Sequence, residues 1–122
     1  MSRFELGNFS SPSETRSMEK GKVDLINIGG GVVGRFTLQP GWRWSSHVKP
    51  TVKTEWCEMP HFQYQVSGRF HVLMSDGSEF ETRAGEILFL PPRHDAWVVG
   101  DEEVVLIDWS GAANYALLAK SA

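Results

Sequence analysis

The sequence predicts an all-β sandwich or barrel, and three observations carry that reading. Short runs of β-branched and aromatic residues recur along the chain, enough for about eight to ten strands. Turn signals separate the runs at roughly 8–12-residue spacing, the rhythm of sandwiches and barrels. The Asp76-Gly77 pair between two such runs is a strong hairpin signal.

Taken in order, residues 1–20 are polar and irregular, and Ser10-Ser11-Pro12-Ser13-Glu14 reads as a loop. Phe4, Leu6 and Phe9 are the apolar positions available to pin this arm to the body or to a partner subunit; a frayed terminus is the alternative. Val23 to Ile28 (VDLINI) is rich in β-branched residues and predicts a strand. The three glycines at 29–31 turn the chain, and Val32 to Leu38 returns. The run GGGVVG is no phosphate loop, because neither a helix pattern nor a Gly-Lys-Ser/Thr follows it. After the turn at Gln39-Pro40-Gly41, alternation predicts a strand over Trp42 to Val48. Arg43, Ser45, His47 and Lys49 share one face; Trp42, Trp44, Ser46 and Val48 share the other.

Residues 49–60 form a longer loop between prolines 50 and 60, carrying Glu55, Trp56, Cys57 and Glu58. His61 to Val66 predicts a strand with His61, Gln63 and Gln65 opposite Phe62, Tyr64 and Val66. Arg69 to Met74 and Phe80 to Thr82 flank the Asp-Gly turn. Ile87 to Leu90 (ILFL) is continuously apolar and predicts a fully buried strand. Trp97 to Val99 and Val104 to Trp109 are the last strands, and residues 111–120 suit one or two helical turns.

The 122 residues suit one domain, divided as arm 1–20, barrel 21–110 and tail 111–122. A chain of this size needs neither disulfide nor metal to fold. The net charge of −3, with no basic stripe, argues against nucleic-acid binding. No apolar run reaches the roughly 18 residues of a membrane span, and MSRFELGNFS lacks a secretory core. With a single cysteine, Cys57, the expected compartment is the cytoplasm.

Gly41 and His47, then Gly68, then Gly85-x5-Pro91 resemble the two motifs of the cupins, G-x5-H-x-H-x(3,4)-E-x6-G and G-x5-P-x-G-x2-H-x3-N. PGWRWSSHVKP, SGRFHV, DGSEFE and PPRHDAWVVGD are similar to phrases of small single-domain bacterial cupins of unclear function. The resemblance covers roughly residues 30 to 109. It implies a double-stranded β-helix, or jelly-roll barrel, but leaves function open, because the fold hosts oxygenases, isomerases, storage proteins and regulators. The departures are informative. His47 stands at the first metal-histidine position, but Lys49 stands at the second. Residues 50–60 make a gap longer than the motif's three or four. His61 takes the glutamate position, Ala96 the last histidine position, with His94 two residues earlier, and Arg93 replaces a glycine.

Two constellations follow from that alignment. In the first, His47, His61 and His94 converge as ligands for a divalent metal, Zn, Fe, Ni or Cu, with Glu58 or Cys57 as a further ligand. Lys49 opposes this with a fixed charge, and the alternative is a polar pocket wall. In the second, Arg43, His47 and Lys49 on one strand face, with Gln63 and Gln65 opposite, Glu58 nearby and Trp56 as a lid, hold a small anionic molecule; a solvated strand face is the alternative. The expected function is small-molecule binding, with or without metal. The other reading is a metal-dependent oxygenase or isomerase using the three histidines, with Glu58 as general base. Cys57 as a nucleophile lacks an oxyanion-hole signature.

Apolarity alone would bury Trp42, Trp44, Val48, Phe62, Tyr64 and Val66, whereas the resemblance to cupins implies that His47 and His61 point into the barrel, and both hold only if the apolar face is covered by something else. The sequence therefore predicts a homodimer packed through Trp42, Trp44, Phe62 and Tyr64, with the N-terminal arm laid across.

Overall fold

The computed structural model describes residues 3–110 and residue 112. The helical turns expected over residues 111–120 therefore lie outside the described residues, Ala112 apart. Among the described residues, nine strands form two antiparallel sheets. β1 (Glu14–Met18), β2 (Gly21–Ile28), β3 (Gly31–Leu38), β4 (His61–Ser67), β7 (Ile87–Leu90) and β9 (Val104–Asp108) build the larger, in the order β1-β2-β3-β9-β4-β7. β5 (Arg69–Met74), β6 (Glu79–Arg83) and β8 (His94–Val99) build the smaller, in the order β6-β5-β8. Alternation decides which face of each strand turns inward. Val23 and Leu25, Phe36 and Leu38, Phe70 and Val72, and Val104 and Leu106 fill the space between the sheets.

β1 lies within the segment expected as an arm and adds an edge strand, paired Glu14 to Leu25 and Met18 to Gly21. Gly68 joins β4 to β5 at φ +80°, and a Cβ there would stand 2.7 Å from the Glu103 carbonyl oxygen, so both backbone and space demand glycine.

The strand expected over Trp42–Val48 is not formed. Two short helical turns, α1 (Trp44–His47) and α2 (Lys49–Val52), take its place. The cause is visible in the burial. Trp44 and Val48, four residues apart, are buried while Ser46 between them is exposed, which suits a helical turn and not a single strand face. Only the ends of the segment run beside β8: Arg43 bridges Trp97, and Cys57 bridges His94. The helical turns bulge between those two points and close the open edge of the smaller sheet. Trp42 and Trp44 therefore belong to the core rather than to an outer face, Trp42 stacking on Phe70 at 6.1 Å.

A second expectation also changes. ILFL is not a fully buried strand, for β7 is the edge of the larger sheet, with Ile87 66% and Phe89 69% exposed. Phe62, Tyr64 and Val66 face outward, while His61, Gln63 and Gln65 face inward. No helix among the described residues is long and apolar enough to cross a membrane.

Candidate metal centre

Inside one end of the barrel, Cys57, His61 and His94 each offer a ligand atom, and the three atoms all lie within 4.8 Å of one another. Each is positioned by backbone. Cys57 is tied to the start of β8, its N–H donating to the His94 carbonyl at 2.8 Å while its own carbonyl accepts from Arg93 N at 2.7 Å. His61 opens β4 opposite Leu90, and His94 opens β8 opposite Met74. Both histidines are at the inward phase of their strands, and all three side chains are buried.

The imidazoles are oriented from behind. His61 Nδ1 faces the Asp108 carboxylate, whose other oxygen accepts from the Phe62 and Ser110 N–H groups at 3.2 and 2.9 Å. In the neutral ring the nitrogen against the carboxylate carries the proton, which leaves the lone pair on Nε2, 4.0 Å from Cys57 Sγ. His94 Nδ1 donates to the Pro91 carbonyl at 2.9 Å, which likewise leaves its Nε2 free. Histidines held through the far nitrogen by a carboxylate or carbonyl are the arrangement that presents Nε2 to a metal. The donor set fits a divalent ion: one sulfur and two imidazoles leave a fourth tetrahedral position open.

Burial sets the protonation of His94 and Cys57. Burial, with a further contribution from His61, pushes the His94 imidazole down to about 4, so it is an unprotonated donor at neutral pH. Burial pushes the Cys57 thiol up to about 12, with Glu58, Asp108 and Asp95 acting in the same direction. Only a cation at the sulfur would draw off that proton near neutrality.

The cavity beside the imidazoles is about 20 Å³. Gln63 is its third polar wall; Phe36, Trp44, Phe70 and Leu106 are among the apolar ones. That volume holds about one water molecule.

The structure brings together two of the three histidines expected at a metal. His47 is the exception, because in α1 it turns away from the barrel. Its Nδ1 accepts from Arg43 N at 3.0 Å, its Nε2 lies 4.0 Å from Glu19, and it lines a separate surface groove with Met18, Ser46 and Thr51. Cys57 takes the third place.

The residues expected to hold an anion are dispersed. Arg43 pairs with Asp95 at 3.3 Å and lies 4.1 Å over the Trp97 ring, on the outer side of β8. Lys49 stands on α2, and Trp56 is half-buried, its carbonyl accepting from the Thr54 hydroxyl. Glu58 is exposed and pairs with Arg93 at 3.8 Å. Gln65 is buried with its amide engaged, donating to the Gly68 and Thr82 carbonyls and accepting from the Thr82 hydroxyl at 2.6 Å. Only Gln63 reaches the cavity. The physical reason is the helical segment: without a strand over 42–48, alternation no longer sets Arg43, His47 and Lys49 on one face turned to the barrel.

Asp108 is the residue that sequence reasoning missed. Its signal was phase, for it follows Val104 and Leu106 at the inward positions of β9, where a carboxylate requires a partner.

No protein-family model matches the chain, and no curated protein is similar to it. Solved structures are. The S161A mutant of Bacillus subtilis oxalate decarboxylase superposes with a TM-score of 0.60 at 23% identity, over 84% of this chain and 29% of that one. The Lactobacillus farciminis oxalate decarboxylase formate complex gives 0.59 at 20% identity, over 84% of this chain and 32% of that one. A protein of unknown function from Vibrio parahaemolyticus gives 0.54 at 16% identity, over 74% of this chain and 87% of that one. The chain spans about a third of the length of the two oxalate decarboxylases. At these identities the similarity is one of fold: the chain shares the antiparallel β-barrel of these proteins, the double-stranded β-helix that its resemblance to the cupin motifs implies.

Proposed function

We propose that this protein is a metal-binding cupin barrel that holds a divalent ion through Cys57, His61 and His94 and, at the fourth position, a water-sized ligand. The observation that carries this reading is the convergence of one sulfur and two imidazoles, with both Nδ1 atoms held from behind. Thiolate and imidazole together favour Zn or Cu over the hard, oxygen-seeking cations; Fe and Ni tolerate the imidazoles. A bound ion would supply Lewis acidity at the open position. The chain's own residues hold the ligands, exclude bulk water with an apolar wall, and offer the Gln63 amide as a hydrogen-bonding group.

The cavity limits what shares the centre. A space of about 20 Å³ admits water, hydroxide or an anion of comparable size, so the expected anionic ligand is bounded in size. A dicarboxylate such as the substrate of the decarboxylases that share this fold has no room beside the imidazoles. The enzyme reading also lacks its base: Glu58 is exposed and paired with Arg93, and Asp108 is committed to His61. Binding is therefore favoured over turnover.

Metal analysis together with titration calorimetry tests the proposal. The expected result is one Zn per chain, with about one proton released from Cys57 at neutral pH, read from the buffer dependence of the heat. Cys57→Ser and His94→Gln should each lose the metal, whereas His47→Ala should retain it. Equal metal content in all three variants would overturn the assignment.

A further inference from the structure

The outer face of the larger sheet carries an apolar stripe that the described residues leave uncovered. Phe62 stands opposite Phe89 and Tyr64 opposite Ile87, Val66 continues the row on β4, and Trp109 lies 6.2 Å from Phe62. These six side chains are between 37% and 69% exposed. Together they present roughly 600 Å² of apolar surface, the upper end of what soluble monomers show. No outward position among 62, 64, 66, 87 and 89 carries a charge, so covering the stripe strands no buried ion. β7 is moreover an edge strand, which makes an uncovered stripe there a hazard for uncontrolled pairing.

On the same face, across β9 from the stripe, lies the N-terminal arm, and it is anchored. The Glu5 carboxylate accepts from Gly29 N at 3.0 Å, Gly7 lies against Ile26, and the Arg35 guanidinium stands 4.9 Å over the Phe9 ring. These contacts hold the arm on the outer face of β2 and β3. The alternate residues, Phe4 and Leu6, are 93% and 92% exposed. An anchored arm with two large apolar side chains aimed at solvent is built to meet something.

We infer that the occupant is a second copy of this chain, packed about a two-fold axis. The stripe of each copy covers the other's, and Phe4 and Leu6 of each arm close over the partner's β4 and β7. Stripe and arm lie on one face of the larger sheet with β9 between them, so a self-complementary pairing covers both at once. The stripe area and the two arm residues together approach the roughly 800 Å² per partner of a stable interface. Trp42 and Trp44, expected at this contact from sequence, take no part because they lie in the core. The inference is independent of the metal, whose ligands occupy the opposite face of β4.

Sedimentation equilibrium on the full chain tests it. The wild type should be a dimer at micromolar concentration. Phe89→Asp, with an unchanged circular dichroism spectrum, should weaken association roughly thirtyfold or more, as for a central interface residue. The double substitution Phe4→Asp, Leu6→Asp lies outside every strand and cannot unfold the barrel; it should weaken association about tenfold, a rim-sized effect. Cys57→Ser should remain dimeric. A monomeric wild type, or a dimer that either folded variant leaves intact, would overturn the inference.

Discussion

Asp108→Asn is the sharpest perturbation of the centre, because it changes one atom and leaves the shape. In the native protein one carboxylate oxygen accepts from Phe62 N and Ser110 N, and the other faces His61 Nδ1. An asparagine keeps its amide oxygen where two N–H donors already point, so its NH₂ group falls opposite His61. Two donors cannot share a hydrogen bond. The imidazole must therefore accept at Nδ1 and carry its proton on Nε2, and the lone pair facing Cys57 and the metal is lost. Loss of such an orienting partner costs about 10–100-fold in metal affinity, or about 1.4–2.7 kcal/mol. Loss of a charge-assisted hydrogen bond costs folding stability a further 1.5–3 kcal/mol or so, which a protein of ordinary stability survives. Competition against a chromophoric zinc chelator measures the first quantity and urea denaturation of the metal-free protein the second. A folded Asp108→Asn variant with wild-type zinc affinity would refute the argument that His61 binds through Nε2 under the control of Asp108.

Two further outcomes follow from the same geometry. His94 is held down to about 4 against an ordinary value near 6.5, so between those limits the unfolded chain binds more protons than the folded one. Stability of the metal-free protein should be full above pH 6.5 and fall by about 3 kcal/mol as the pH drops towards 4, and His94→Gln should flatten that slope in urea titrations; an unchanged slope would mean that His94 is not the group responsible. Arg93 adopts φ +76°, a left-handed conformation, at the position where the cupin motif has glycine. Removing that strain, less the added freedom of the unfolded chain, makes Arg93→Gly stabilising by about 0.5–1 kcal/mol, visible as a rise in Tm of a few degrees; a fall in Tm would show that the Glu58 pair outweighs it.

Much of this molecule is settled by local sequence. Period-2 alternation set His61, Gln63 and Gln65 on one face and Phe62, Tyr64 and Val66 on the other, because a strand fixes opposite faces for neighbouring residues; apolarity alone pointed the second set inward, and only the resemblance to cupins pointed the first, which is the set found inside. Asp76-Gly77 set its hairpin, and the glycine of Ser67-Gly68 has no substitute beside Glu103. Other features depend on contacts between segments distant in sequence. Trp42, Trp44 and Val48 satisfy a strand face by one pair and a helical turn by another. Only the docking of Arg43 and Cys57 along β8 chose the helical turns. That choice removed His47 from the centre and carried Cys57 into it, since the path of the loop decides which side chain meets His94. Burial of ILFL was equally illegible: an apolar run states that a strand prefers cover, and only the order of strands in the sheet decides whether its own chain provides it. The residues and their phases are local properties of the sequence. The ligand set and the uncovered face are properties of how strands and loops distant in sequence come to lie side by side.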